Sequence, residues 1–180
     1  MGKINNIDQK EFPVLDLSAV TAVILAGGLG TRLRTVVPDR PKAMAKINHR
    51  PFLLYLLDQI VQACIKRVVV CTGYMAFQIE ERVGHAHKGL RVDYSREETP
   101  LGTAGALKLA GKNVDTEYCL VMNGDSYTEF DPVSLFISHK QKNANITILV
   151  KAVSNTSHFG TIQMNKQNEI IRFMEKGSST

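Results

Sequence analysis

The chain has 180 residues, of which 44% are hydrophobic, 22% charged and 7% aromatic. That length suits a single domain, and that apolar fraction excludes a disordered chain. Net charge is +5, from 22 Lys and Arg against 17 Asp and Glu. The excess is not gathered into a basic run interleaved with aromatics, so small anionic substrates are the expected partners and nucleic acid is not. No apolar run approaches the roughly 18 residues of a membrane span, so no membrane partner is expected. Three cysteines without a C-x-x-C spacing exclude a disulfide framework and a zinc site. Cys71 and Cys119 stand in apolar strand-like runs and read as small buried hydrophobes. Residues 1–18 mix charges with single apolar residues, which is not a secretory signal, and a cytoplasmic location is the expectation.

In chain order, residues 1–19 read as an N-terminal arm, and 20–180 as one domain with no internal repeat and no linker. The apolar, partly β-branched run at 19–25 is a strand buried on both faces, stopped by Gly27-Gly28. A helix starts near Pro51, where proline is tolerated in the first turn, and Leu53, Leu56, Leu57, Ile60, Val61 and Cys64 recur at helical spacing. A strand at 67–72 and a helix at about 75–83 follow. Residues 90–94 alternate like a strand, 102–110 form a small-residue helix, and 118–122 read as a buried strand. A helix at 132–142 and a strand at 145–153 come next. The chain closes with a hairpin, 160–164 against 169–175, across Asn165 to Asn168. Strands separated by helices predict an α/β fold, with a mainly parallel sheet and helices on both faces. The closing hairpin is expected to add antiparallel strands and make the sheet mixed.

Chemistry concentrates in LAGGLGTRLRTVVPDRPKAMAKI, residues 25–47. A loop after the first strand of a parallel sheet lies at the carboxyl edge, where ligands bind. Gly27, Gly28 and Gly30 allow bare amides to approach an anion. Arg32 and Lys42 follow, with Arg34 and Arg40 nearby. This is the composition of a polyphosphate cradle, with Arg as a planar fork and Lys as a mobile point charge. Two familiar glycine loops fail on residue identity. The dinucleotide fingerprint needs Gly where Leu33 stands, and the P-loop needs a Gly-Lys-Ser/Thr tripeptide that is absent.

LAGGLGTRLR followed by RPKAM resembles the signature of the sugar-1-phosphate nucleotidylyltransferases. RPFLLYLLDQI, IKRVVVCTGY, ETPLGTAGAL, LVMNGDSY, FGTIQM and IIRFMEKG resemble further blocks of that family, in order, over residues 22–177. Within it, VVPDRPK and SREETPLGTAGAL look most like the guanylyltransferases that act on D-glycero-α-D-manno-heptose 1-phosphate. Those that act on mannose 1-phosphate are the next nearest. The resemblance implies a Rossmann-like fold of the nucleotidyltransferase, or GT-A-like, type. It implies transfer of GMP from GTP to the sugar phosphate, release of pyrophosphate, and Mg²⁺ as cofactor. Relatives commonly assemble, so a homo-oligomer is compatible with it.

Residue by residue, it implies that Leu25, Ala26, Gly27, Gly28, Gly30 and Thr31 hold the nucleotide through backbone groups. Pro100, Gly102 and Thr103 would contact the base. Arg32, Lys42 and Asp125 would be the catalytic set, with Asp125 also the metal ligand. Gly160, Glu175 and Lys176 would hold the sugar phosphate. The chemistry agrees, because a sugar phosphate is already an anion and needs cations and a metal rather than a general base.

Ala43 and Lys46 stand where many relatives carry proline. The chain stops at Ser178-Ser179-Thr180 without the family's later strands and second metal-binding Asp, and a C-terminally incomplete domain is the expectation. That feature also keeps a non-catalytic nucleotide-sugar-binding or regulatory module as an alternative. A glycosyltransferase of similar architecture would want Asp-x-Asp where Asn123-Gly124-Asp125 stands. Tyr74 reads either as a contact to base or sugar or as packing, and His85-x-His87 reads as an exposed loop.

Overall fold

The computed structural model describes residues 17–28, 30, 39–157 and 159–174. The chain divides into two compact units, one ending at Phe136 and the other beginning at Ile137. In the first, β1 (Val20–Leu25) leads to a short antiparallel ribbon of β2 (Lys46–Ile47) and β3 (Arg50–Pro51), and then to α1 (Phe52–Gln62). Next come β4 (Arg67–Thr72), α2 (Ala76–Val83), β5 (Ala86–His87), β6 (Leu90–Arg96), α3 (Gly102–Ala110) and β7 (Tyr118–Asn123). Helix α4 spans Pro132–Gln141, and β8 (Thr161–Met164) and β9 (Ile170–Met174) belong to the second unit.

The sheet of the first unit has five strands in the order β5-β6-β4-β1-β7. β1 runs parallel to β4 and to β7, and β4 parallel to β6, so these four strands end at one edge. At that edge Leu25 stands opposite both Cys71 and Asn123, and Cys71 opposite Ser95.

Strand periodicity sorts the side chains into two cores. Ala22, Ile24, Val68, Val70 and Val92 pack on one face with Leu53, Leu56, Leu57 and Ile60 of α1 and Ile79 of α2. Val23, Val69 and Cys71 pack on the other with Ala106 and Ala110 of α3. The four α1 residues occupy positions i, i+3, i+4 and i+7, which puts them on one stripe. Each such burial contributes about 1.5–3 kcal/mol. With helices on both faces, the central strands need apolar residues at every position, and their sequences read that way.

Four expectations need correction. β7 is not buried: its exposure alternates, with Tyr118, Leu120 and Met122 packed on the α1 side while Cys119 and Val121 are exposed. It is one of the two edge strands, and the exposed Cys119 and Val121 share one of its faces. Residues 145–153 form no strand among the described residues, and Ile146 is 79% exposed. An apolar β-branched run becomes a strand only by pairing. The closing hairpin forms, but as a two-stranded sheet of its own rather than as an addition to the five-stranded one. The antiparallel strand that makes the large sheet mixed is β5, which contains His87.

His87 is therefore not on an exposed loop. Its Nε2 donates to Asp58 Oδ1 at 2.7 Å. Arg50 Nη1 and Lys88 Nζ reach the same carboxylate at 2.6 and 3.0 Å. The Arg50 guanidinium holds the Asp58 carboxyl well below the usual carboxylate range, against partial burial, with His87 and Lys88 adding to the effect. This cluster ties β3, α1 and the β5–β6 turn together. A carboxyl whose pKa is depressed by folding stabilises the native state above its unfolded value, near 4, and loses that contribution as pH falls. Replacing Asp58 by Asn is expected to lower the unfolding free energy at pH 7 by about 1–3 kcal/mol. It should also flatten the fall in stability between about pH 5 and pH 2. Urea unfolding across that range measures both.

Candidate functional site

Beyond the parallel strand ends, Ala26 N still donates to Cys71 O at 3.0 Å, which holds the loop after β1 against β4. Gly27 then passes the loops that follow β4 and β6 at close quarters. A Cβ on Gly27 would stand 2.6 Å from Glu97 Oε1, and one on Gly73 would stand 2.8 Å from Gly27 O. Gly30 has φ +57°, a left-handed conformation that favours glycine, and a Cβ there would meet Lys42 Cβ at 3.1 Å. Glycines are thus required at 27 and 30 for different reasons, close approach at the first and backbone handedness at the second.

The loop after β6 is folded by Glu97. Its amide donates to Thr72 O at 2.8 Å, and its Oε2 accepts Leu101 N at 2.8 Å, just before α3 begins at Gly102. On the other side Gly124 N donates to Leu25 O at 2.9 Å. A Cβ on Gly124 would lie 2.6 Å from that oxygen. The chain leaving β7 is pressed onto the loop leaving β1, and Asp125 follows directly.

These loops enclose a cavity of about 880 Å³. Its lining includes Leu25, Gly27 and Gly28 from the first loop, Pro100, Gly102 and Thr103 from the third, and Asp125. Asp125 Oδ2 accepts Lys42 Nζ at 2.7 Å, and Oδ1 accepts Ser126 Oγ at 3.1 Å. The Lys42 ammonium holds the Asp125 carboxyl below its usual range, against partial burial, with Ser126 helping. At neutral pH this carboxylate is ionised, and both partners' side chains remain 43% exposed. The arrangement can take a polyanion along bare backbone, with one cation and one oxygen-donor anion at the end of β7.

Residues 21–179 match the family model described as Nucleotidyl transferase. The chain belongs to this family. It is 37% identical over 156 residues to a D-glycero-alpha-D-manno-heptose 1-phosphate guanylyltransferase of Aneurinibacillus thermoaerophilus, spanning 87% of this chain and 67% of that protein. It is 33% identical over 158 residues to a mannose-1-phosphate guanylyltransferase of Mycobacterium tuberculosis, covering 87% of this chain but 44% of that one. The solved structure of HddC from Yersinia pseudotuberculosis complexed with GMP-PN superposes with a TM-score of 0.72 at 30% identity. The match covers 88% of this chain and 70% of that one.

In this nucleotidyl transferase chain the structure brings together most of the residues that sequence singled out. Ala26 is buried beside Gly124, and Lys42 meets Asp125 from the short turn Lys42–Met44. Tyr74 lines the cavity. Gly160 lies in the second unit, where a Cβ would make only ordinary contact with Met174 O at 3.5 Å. Thr31, Arg32, Arg34, Glu175 and Lys176 lie outside the described residues. Arg40 is ion-paired with its neighbour Asp39.

Sequence reasoning passed over Gly73 and Glu97. Gly73 directly after a buried strand was the available signal for a close approach. The bond from Leu101 N to Glu97 is local to one loop, but the space that Glu97 fills beside Gly27 is set by the loop after β1 and has no local signal.

The backbone contact at Gly124 admits no relief by side-chain motion. Gly124→Ala is expected to lower the unfolding free energy by about 1–3 kcal/mol. Gly111→Ala, where nothing lies within 4 Å, should change it by no more than about 0.5 kcal/mol. Chemical denaturation of the two variants makes the comparison.

Proposed function

We propose that this protein transfers GMP from GTP to a sugar 1-phosphate, specifically D-glycero-α-D-manno-heptose 1-phosphate. Pyrophosphate leaves, and the product is a GDP-sugar for surface glycan synthesis, made in the cytoplasm. The observation that carries this reading is the pairing of Lys42 with Asp125, a carboxylate that lines the same cavity as Gly27, Gly28 and Gly102. The names of the relatives support the base and the sugar. Among the described residues no helix is long and apolar enough to cross a membrane.

The reaction joins two polyanions. An oxygen of the sugar phosphate attacks the α-phosphorus of GTP, a new P–O bond forms, and the bond to the departing pyrophosphate breaks. No proton need be removed from the nucleophile. The barrier lies in alignment and in charge building on phosphorus, so fixed cations and oriented amides are the useful groups. The amides of Gly27, Gly28 and Gly30 bind the triphosphate, with Leu25, Ala26 and Thr31 completing the loop. Pro100, Gly102 and Thr103 hold the base. Lys42 and Arg32 neutralise the phosphates flanking the reacting atom. Gly160, Glu175 and Lys176 hold the sugar phosphate.

The donor set fits a magnesium ion. Asp125 offers an ionised carboxylate with Ser126 Oγ beside it, and no group of three or more His, Cys, Asp or Glu suited to a metal occurs among the described residues. One carboxylate plus phosphate oxygens and waters is the common environment of Mg²⁺. When bound, the ion supplies positive charge at the α-phosphate.

Mannose 1-phosphate is the second substrate to test, because guanylyltransferases with that name also match. A pyrophosphate-release assay with four nucleoside triphosphates and both sugar phosphates is expected to show turnover with GTP and the heptose phosphate. Lys42→Met and Asp125→Asn should each cut kcat by about a hundredfold or more. Turnover with CTP or UTP but not GTP would overturn the base, preference for mannose 1-phosphate would overturn the sugar, and inactivity with all pairs would overturn transfer itself.

A further inference from the structure

The two groups assigned to opposite parts of the substrate complex, a cation for phosphate and a carboxylate for the metal, hold each other in this structure. Lys42 Nζ lies 2.7 Å from Asp125 Oδ2, and Ser126 Oγ takes Oδ1. The aliphatic stem of Lys42 is packed over Gly30, where an added Cβ would stand 3.1 Å from Lys42 Cβ. The ammonium therefore bridges from the loop after β1 to the end of β7. Both side chains are 43% exposed, and a pair so open to water is weak enough to exchange partners.

We infer that ligand entry at this site is an exchange of ion pairs, in which a divalent cation displaces the Lys42 ammonium from Asp125 and the released ammonium takes a phosphate oxygen. This rests on the proposed assignments of Lys42 and Asp125 and adds a consequence to them. Each ligand frees the group that the other requires, so metal and nucleotide bind with positive coupling, reciprocal by linkage. Lys42 is then a competitor for the metal site before it is a phosphate ligand.

Binding of Mn²⁺ to the full nucleotide-free chain, followed by calorimetry, tests this directly. Removing a positive charge that helps catalysis should strengthen metal binding: Lys42→Met and Lys42→Gln are expected to bind Mn²⁺ about three- to fivefold more tightly than the parent. Lys42→Arg, which restores the charge, should return to the parent value. Asp125→Asn should lose the site. Unchanged or weaker Mn²⁺ binding in both neutral variants would overturn the exchange while leaving the transfer reaction standing, since the pyrophosphate-release assay reports on that separately. Mn²⁺ binding that survives in Asp125→Asn would overturn the exchange together with the metal assignment.

Discussion

Four loops leave the parallel strands and meet at close quarters, with glycine at three of the contacts. Gly124 donates to the oxygen of Leu25, and Gly27 and Gly73 face each other at a separation that excludes a Cβ. Glu97 closes the same junction from the third loop, with its carboxylate occupying the space a side chain on Gly27 would need. Everything proposed for the site depends on this backbone contact. It brings Asp125 from the end of β7 within reach of Lys42, 83 residues earlier in the chain.

The two ends of the sheet are treated differently. At the amino edge Arg67 binds Asp93 at 2.8 Å and Asp115 at 2.5 Å, so charge there is consumed in holding strands together. The Asp58 cluster uses two cations, Arg50 and Lys88, and the His87 imidazole on one carboxylate in the same structural way. At the carboxyl edge the loops leave a cavity, and the ion pair that links them among the described residues, Lys42 with Asp125, is exposed on both sides. A polyanion entering there finds a cation that can change partners at small cost, whereas the ions around Asp58 and Asp93 are committed to the fold.

The central strands were readable because burial on both faces leaves no alternative to continuous apolar residues, and Arg67–Thr72 falls where its run of valines predicts. α1 was readable because its buried leucines obey a 3.6-residue period. Errors arose where a neighbour decides the outcome. Tyr118 to Met122 looks as apolar as the central strands, yet β7 sits at the edge with alternate residues open to water. Ala86 and His87 carry little strand character of their own and become β5 by pairing with Leu90 and Arg91.

The site divides along the same line. Residue order alone determined the glycine loop after the first buried strand, the cations that follow it and the acid after the fourth parallel strand, because strand period and the bare backbone of glycine are local properties. Folding alone decided that Lys42 meets Asp125 and that Glu97 braces the loop carrying Gly27. Such outcomes depend on distances between strand ends far apart in the chain, and no local pattern encodes a distance of that kind.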